Sequence, residues 1–90
     1  MIRVKKLLWD RWNLEHIKKY DVTKNEVREA VKRRTVVRET HNNRLLAIGR
    51  SGSRLITVIL NEQAEKEVYY VVTARDSSRK ERREIDESKN

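Results

Sequence analysis

Ninety residues with twenty-two Lys or Arg against fourteen Asp or Glu give a formal charge of +8, and there is no cysteine. That excludes disulfides, thiolate nucleophiles and cysteine-rich zinc sites, and it agrees with a reducing compartment. With 37% hydrophobic and 40% charged residues, residues 1–90 suffice for a single domain with one core, whose apolar positions must be concentrated in a few segments.

The charge is uneven along the chain. Residues 1–60 hold fifteen basic and six acidic side chains, or +9, whereas residues 61–90 hold seven and eight, or −1. Such a field concentrates anions, so a polyanion is the expected partner; an acidic protein, or basic side chains that merely solvate the surface, are the competing readings. The apolar run beside the basic amino terminus, Leu7-Leu8-Trp9, is too short for a signal peptide or a membrane span. A soluble, cytoplasmic protein without membrane contact is therefore expected.

In chain order, residues 2–8 alternate loosely and read as a short edge strand. Asp10 is placed to cap a helix running to about Tyr20, with Trp9 and Leu14 as its hydrophobic staple. Thr23 and Glu26 have capping-box spacing, bracketed by Val22 and Val27, and open a second helix with an apolar stripe of Val27, Ala30 and Val31. From Arg34 the period becomes that of strands: one at Thr35–Arg38, then Arg44–Arg50, Leu55–Leu60 and Val68–Ala74. Both glycines fall in residues 49–53, read as the hairpin turn between the second and third of these.

The runs Leu55–Leu60 and Val68–Val72 are apolar on both alternations, which predicts central strands of an antiparallel sheet covered on both faces. Ser78 and Glu81 form a third capping box, opening a last helix to about residue 88. Ile85 is its one large apolar residue, so this helix is expected to be weakly docked. The fold class is α+β: an antiparallel sheet of about four strands, two N-terminal helices and a short C-terminal helix.

No phosphate-binding glycine loop, metal-ligand spacing or serine elbow is present, and two histidines are too few to suggest a metal site. Neither metal nor other cofactor is expected. Chemistry here must rest on acids, bases and fixed positive charge, which is what RNA cleavage by its own 2′-hydroxyl requires. Arginine suits the developing phosphoryl charge because its planar fork donates two hydrogen bonds and stays charged. Arg44, Arg50, Arg54, Arg75, Arg79, Arg82 and Arg83 lie on strand ends or the last helix, and an arginine in such company is more often a surface solvator than a catalyst. His16 is the better placed histidine for carrying a proton, against a plain helix-surface role. His41 belongs to a polar turn, Tyr69 and Tyr70 to packing, and Tyr20 is the tyrosine able to donate a proton or stack on a base.

Taken together, Trp9-Asp10, Asn13-Leu14-Glu15-His16-Ile17, Val22-Thr23 with Glu26-Val27, Ile48-Gly49-Arg50, Thr73-Ala74-Arg75 and Lys80-Glu81-Arg82-Arg83 resemble the BrnT family of bacterial toxins and its BrnT-like relatives. The resemblance spans almost the whole chain in order. It implies a RelE-like domain, an RNA-cleaving toxin that halts translation, and a BrnA-type ribbon-helix-helix antitoxin. Toxin and antitoxin in that family form a tetramer that represses its own operon, with operator DNA bound through the antitoxin. It further implies catalytic roles for Arg75, Glu81, Arg82, His16 and Tyr20, with Arg50 carried over beside them; Arg44, Arg50, Arg54, Arg79 and Arg83 are the expected RNA-binding residues. Two positions depart from the family pattern: Tyr20-Asp21-Val22 stands where a histidine commonly precedes a Gly-Val step, and Ile85 where a tyrosine commonly follows the last helix's glutamate. A non-catalytic RNA-binding or protein-interaction module of the same fold is the alternative these departures imply.

Overall fold

The computed structural model describes residues 2–88. Its elements are β1 (Lys6–Leu8), α1 (Arg11–Lys18), α2 (Lys24–Lys32), β2 (Arg34–Glu39), β3 (Arg44–Ser51), β4 (Arg54–Glu62), β5 (Val68–Asp76) and α3 (Arg79–Ser88). The five strands lie in the order β1-β5-β4-β3-β2. β2 to β5 form the expected antiparallel meander, with β4 at its centre. β1 differs from the all-antiparallel expectation: it pairs parallel with β5, Lys6 opposite Val68 and Leu8 opposite Tyr70. Alternation in three residues fixes which faces are buried but carries no information on strand direction.

Both N-terminal helices start as their sequences dictate. Asp10 accepts from the Asn13 backbone N–H at 2.9 Å, and the Asn13 side chain accepts from the Asp10 N–H at 2.9 Å. Asn13 is fully buried, and its amide also donates to the carbonyls of Leu8 and Val71 at 3.0 Å each. One side chain thus caps α1 and ties it to both strands beneath. Leu14, expected in a staple, is an exposed large apolar residue, while Trp9 packs on the core. α1 stops at Lys18, short of Tyr20, where Val22 N–H reaches back to the Ile17 carbonyl at 3.1 Å and Asp21 takes φ +57°. At α2, Thr23 and Glu26 close the capping box at 3.2 and 2.9 Å, with Val22 and Val27 both buried.

α1 and α2 cover one face of the sheet, where Ile17, Val27, Ala30 and Val31 meet Ile56, Val58, Leu60, Tyr69 and Val71. On the opposite face Ile85 of α3 packs against Leu46, Ile48 and Leu55. β4 is covered on both faces as expected, whereas β5 is buried on the side of α1 and α2 at Tyr69, Val71 and Ala74 and only partly covered on the other face, at Tyr70, Thr73 and Arg75.

The two glycines do different work. Gly52, with φ +60°, begins the two-residue loop between Ser51 and Arg54 and suits the left-handed geometry of that turn. Gly49 lies inside β3, not in the turn: a Cβ there would come within 1.8 Å of the Ala30 carbonyl oxygen. Glycine at 49 lets α2 lie directly on the sheet backbone.

α3 is held by more than Ile85. Arg38 of β2 grips Glu84 through two hydrogen bonds of 2.9 and 3.1 Å, and Glu81 enters a buried network described below. The expectation of a weakly docked helix counted apolar side chains alone, and polar partners distant in sequence supply the remainder.

Candidate functional site

Three segments meet where β5 ends: the turn after α1, the start of β4, and the first turn of α3. Register places Arg75 on β5 directly opposite Thr57 on β4, on the face that α3 covers. Ser78 caps α3, accepting from the Glu81 N–H at 3.2 Å, and Glu81 returns by accepting from the Ser78 N–H at 2.7 Å. The capping box therefore turns the Glu81 carboxylate inward rather than to solvent.

Glu81 is 6% exposed. Arg75 donates to both of its oxygens, at 2.7 and 2.9 Å, and the Thr57 hydroxyl donates to it at 2.9 Å. Because the single Thr57 proton is committed to Glu81, the contact of 2.8 Å between Thr57 and Ser77 requires the Ser77 hydroxyl to donate. Burial pushes the Glu81 carboxyl up, but the Arg75 guanidinium, the Ser78 N–H and the Thr57 hydroxyl outweigh it and hold the pKa down to about 2. At neutral pH Glu81 is thus a fully charged acceptor that fixes Arg75, and Arg75 in turn is held charged by Glu81.

The Nε–H of Arg75 and one Nη2–H have no acceptor among the described residues, and the side chain keeps about a third of its surface, 34%, exposed. Those donors are available to an anion. Tyr20 lies within electrostatic reach of Arg75. From Tyr20 an aromatic ladder runs back along α1: the Tyr20 ring meets His16 edge-on at 5.8 Å, and His16 stacks on Trp12 at 4.8 Å with 9° between planes. Trp12 is 57% and Tyr20 45% exposed. Flat, accessible rings beside an arginine with spare donors form a surface on which bases can stack while a phosphate is held.

Arg54 sits at the same corner in another condition. It donates to Asp76 through Nε and Nη2 at 2.7 and 3.2 Å, to both Glu26 oxygens through Nη1 at 3.1 and 3.0 Å, and to the carbonyls of Asp21 and Tyr20 at 2.6 and 3.2 Å. Its N–H groups are consumed in pinning the turn that carries Tyr20. Arg82 is exposed, directs Nε to the Ser77 carbonyl at 3.4 Å, and acts electrostatically on Asp76. The structure thus brings Arg75, Glu81, Arg82, Tyr20, His16 and Arg54 together at one corner. Arg50 is exposed at the same end of the sheet, opposite Leu55, and Arg79 and Arg83 are exposed on α3. Arg44 is apart: it pairs with Asn61 at the other end of β4, four residues beyond Thr57. Trp12 and the Thr57–Ser77 relay escape a search for acids, bases and arginines. Trp12, His16 and Tyr20 do recur at four-residue steps, the signal that would have marked the ladder.

Among the described residues no three His, Asp or Glu side chains gather as a metal site, and no helix is long and apolar enough to cross a membrane. No protein-family model matches the chain, and no curated protein does. Among solved structures, the chain is similar to the crystal structure of the Brucella abortus ribonuclease toxin BrnT. That likeness has 27% sequence identity and a TM-score of 0.67, covering 82% of this chain and 97% of that one. That match spans nearly all of the toxin's length and supports placing the chain with the BrnT-like, RelE-type domains.

Proposed function

We propose that the chain is a ribonuclease toxin that cleaves RNA without a metal ion, acting in the cytoplasm to halt translation. The observation that carries the reading is Arg75, oriented by a buried carboxylate yet with donors to spare, beside the exposed Tyr20–His16–Trp12 ladder. The structural likeness to a ribonuclease toxin supports it.

In the proposed reaction the RNA 2′-oxygen attacks the adjacent phosphorus, a 2′,3′-cyclic phosphate forms, and the bond to the 5′-oxygen breaks. His16 takes the 2′-hydroxyl proton and Tyr20 returns a proton to the departing 5′-oxygen. Arg75 donates to a non-bridging oxygen as its negative charge grows, and Arg82 adds positive potential at the same corner. Glu81 acts through Arg75, as a positioning residue. Arg50, Arg79 and Arg83 extend the cationic surface for neighbouring phosphates, and Arg54 holds Tyr20 in place. A BrnA-like ribbon-helix-helix antitoxin neutralises the toxin and carries the complex, a hetero-tetramer, to operator DNA.

Binding of RNA without cleavage is the second reading, favoured by the ladder itself, since stacking needs no reaction. The two are separated by incubating purified protein with a long RNA in EDTA. Fragments ending in cyclic phosphate, absent with Arg75→Ala, are expected; intact RNA at saturating protein would leave binding alone. Induction of the chain by itself should arrest growth with loss of RNA integrity, and normal growth at high protein levels would sink the toxin reading.

A further inference from the structure

A second cationic surface lies away from this corner, where the N-terminal segment runs beside α2. It encloses a groove of about 1140 Å³. Arg3, Lys5 and Lys6 line it from the segment, and Lys24, Arg28 and Lys32 at four-residue steps from one face of α2. Arg34 also lines it, fastened to the carbonyls of Val31 and Ile2 at 2.7 and 2.5 Å. Glu67 is the one acidic residue in the lining. Between the cations lies an aliphatic and aromatic wall of Val4, Leu7, Leu8, Trp9 and Val31. We infer that this groove binds an extended acidic peptide in which carboxylates alternate with aliphatic side chains.

Several features select that occupant. Seven cations line the groove against one carboxylate, and even with Lys5 paired to Glu65 at 3.4 Å the remaining excess of positive charge favours an anion. A phosphodiester strand would use the cations but leave the apolar wall unfilled, and its bases would need open ring faces. Here Trp9, packed on the core, carries the Lys24 ammonium over its ring at 5.7 Å. The open rings are those of α1. An extended peptide directs successive side chains to opposite sides, so aliphatic residues can meet the wall while acids meet the cations. β1, the terminal strand of the sheet, contributes Lys6, Leu7 and Leu8 to the lining and favours an extended ligand. The volume exceeds that of most small-molecule pockets and suits a peptide stretch of several residues.

The test is a fluorescence-anisotropy titration of the full chain with a short labelled peptide of alternating Glu and Leu. It is repeated with a Gln-for-Glu peptide, an all-Glu peptide and a non-cleavable 2′-O-methyl RNA of similar length. The Glu–Leu peptide should bind, both altered peptides should bind at least roughly tenfold more weakly, and the double variant Arg28→Glu/Lys32→Glu should lose at least roughly tenfold in peptide affinity. Both residues are exposed on α2, circular dichroism verifies the variant's fold, and its RNA cleavage should be unchanged. Equal affinity for the Glu–Leu and all-Glu peptides, a double variant that binds peptide like the parent, or selective loss of RNA affinity in that variant would each overturn the inference. Because the peptide assay needs no nuclease activity, its failure is distinct from failure of the ribonuclease reading.

Discussion

Arg54 and Arg75 stand on adjacent strands, each gripped by carboxylates, and the difference between them is how many N–H groups are left over. Arg54 meets Asp76, Glu26 and two backbone carbonyls, which exhausts its fork. Arg75 meets chiefly Glu81 and keeps donors facing outward. The same residue type, with the same sign of pKa shift, is a structural clamp in one place and an anion site in the other. Saturation of the donors, rather than charge or abundance, separates the two.

The contrast can be broken most sharply at Arg75. Arg75→Ala should lower single-turnover RNA cleavage roughly 10²–10³-fold, as removal of a preorganised donor at developing charge does elsewhere. Arg75→Lys should fall between, since an ammonium keeps charge but not the fork. Arg54→Ala should act on the other axis, costing about 2 kcal/mol in urea unfolding because it leaves the partly buried Glu26 carboxylate and the turn carbonyls of Asp21 and Tyr20 without their donor. Its cleavage rate, measured where the variant is still folded, should change less than that of Arg75→Ala. Equal losses of activity would erase the distinction.

A smaller effect is expected in acid. The pKa of Glu81, lowered from 4.5 to about 2 by its partners, makes a contribution to stability that is fully present above about pH 4.5. That contribution is lost as the pH falls through 2, because the unfolded chain takes up the proton first. Glu26 and Asp76 are lowered in the same direction by the groups around them. Urea midpoints measured between these limits should therefore fall for the parent and fall less steeply for Glu81→Gln. A parallel decline would mean that Glu81 contributes nothing to the acid response. The smallest effect belongs to Asp21, whose φ of +57° suits glycine better. Asp21→Gly should raise stability by about 0.5–1 kcal/mol while its carbonyl continues to accept from Arg54.

What was legible in the sequence was local. Asp10, the Thr23–Glu26 pair and Ser78 with Glu81 cap their helices as spacing requires, because donor and acceptor lie within one turn. The two-sided burial of β4 was equally legible from its unbroken apolar run, while the like run in β5 overstated the cover on that strand's second face. Glu81 could be read as a capping residue, but its bond to Thr57, twenty-four positions away, could not. Arg38 and Glu84 are separated by forty-six positions, and nothing in the local pattern of either announces the other. Arg54 and Arg75 look alike as letters, since donor saturation depends on partners assembled from three segments.

The contact between Gly49 and the Ala30 carbonyl bears on how this protein can vary. With backbone against backbone, no change of side chain at position 30 makes room for one at position 49. A mutant library should therefore accept many residues on the exposed face of α2, yet recover function from a substituted position 49 only when α2 itself shifts. Such a shift would also disturb Glu29, which accepts from the Gly52 N–H at 2.9 Å, and Glu26, which holds Arg54. One missing methyl group thereby links the evolutionary freedom of the helix layer to the corner where Tyr20 sits.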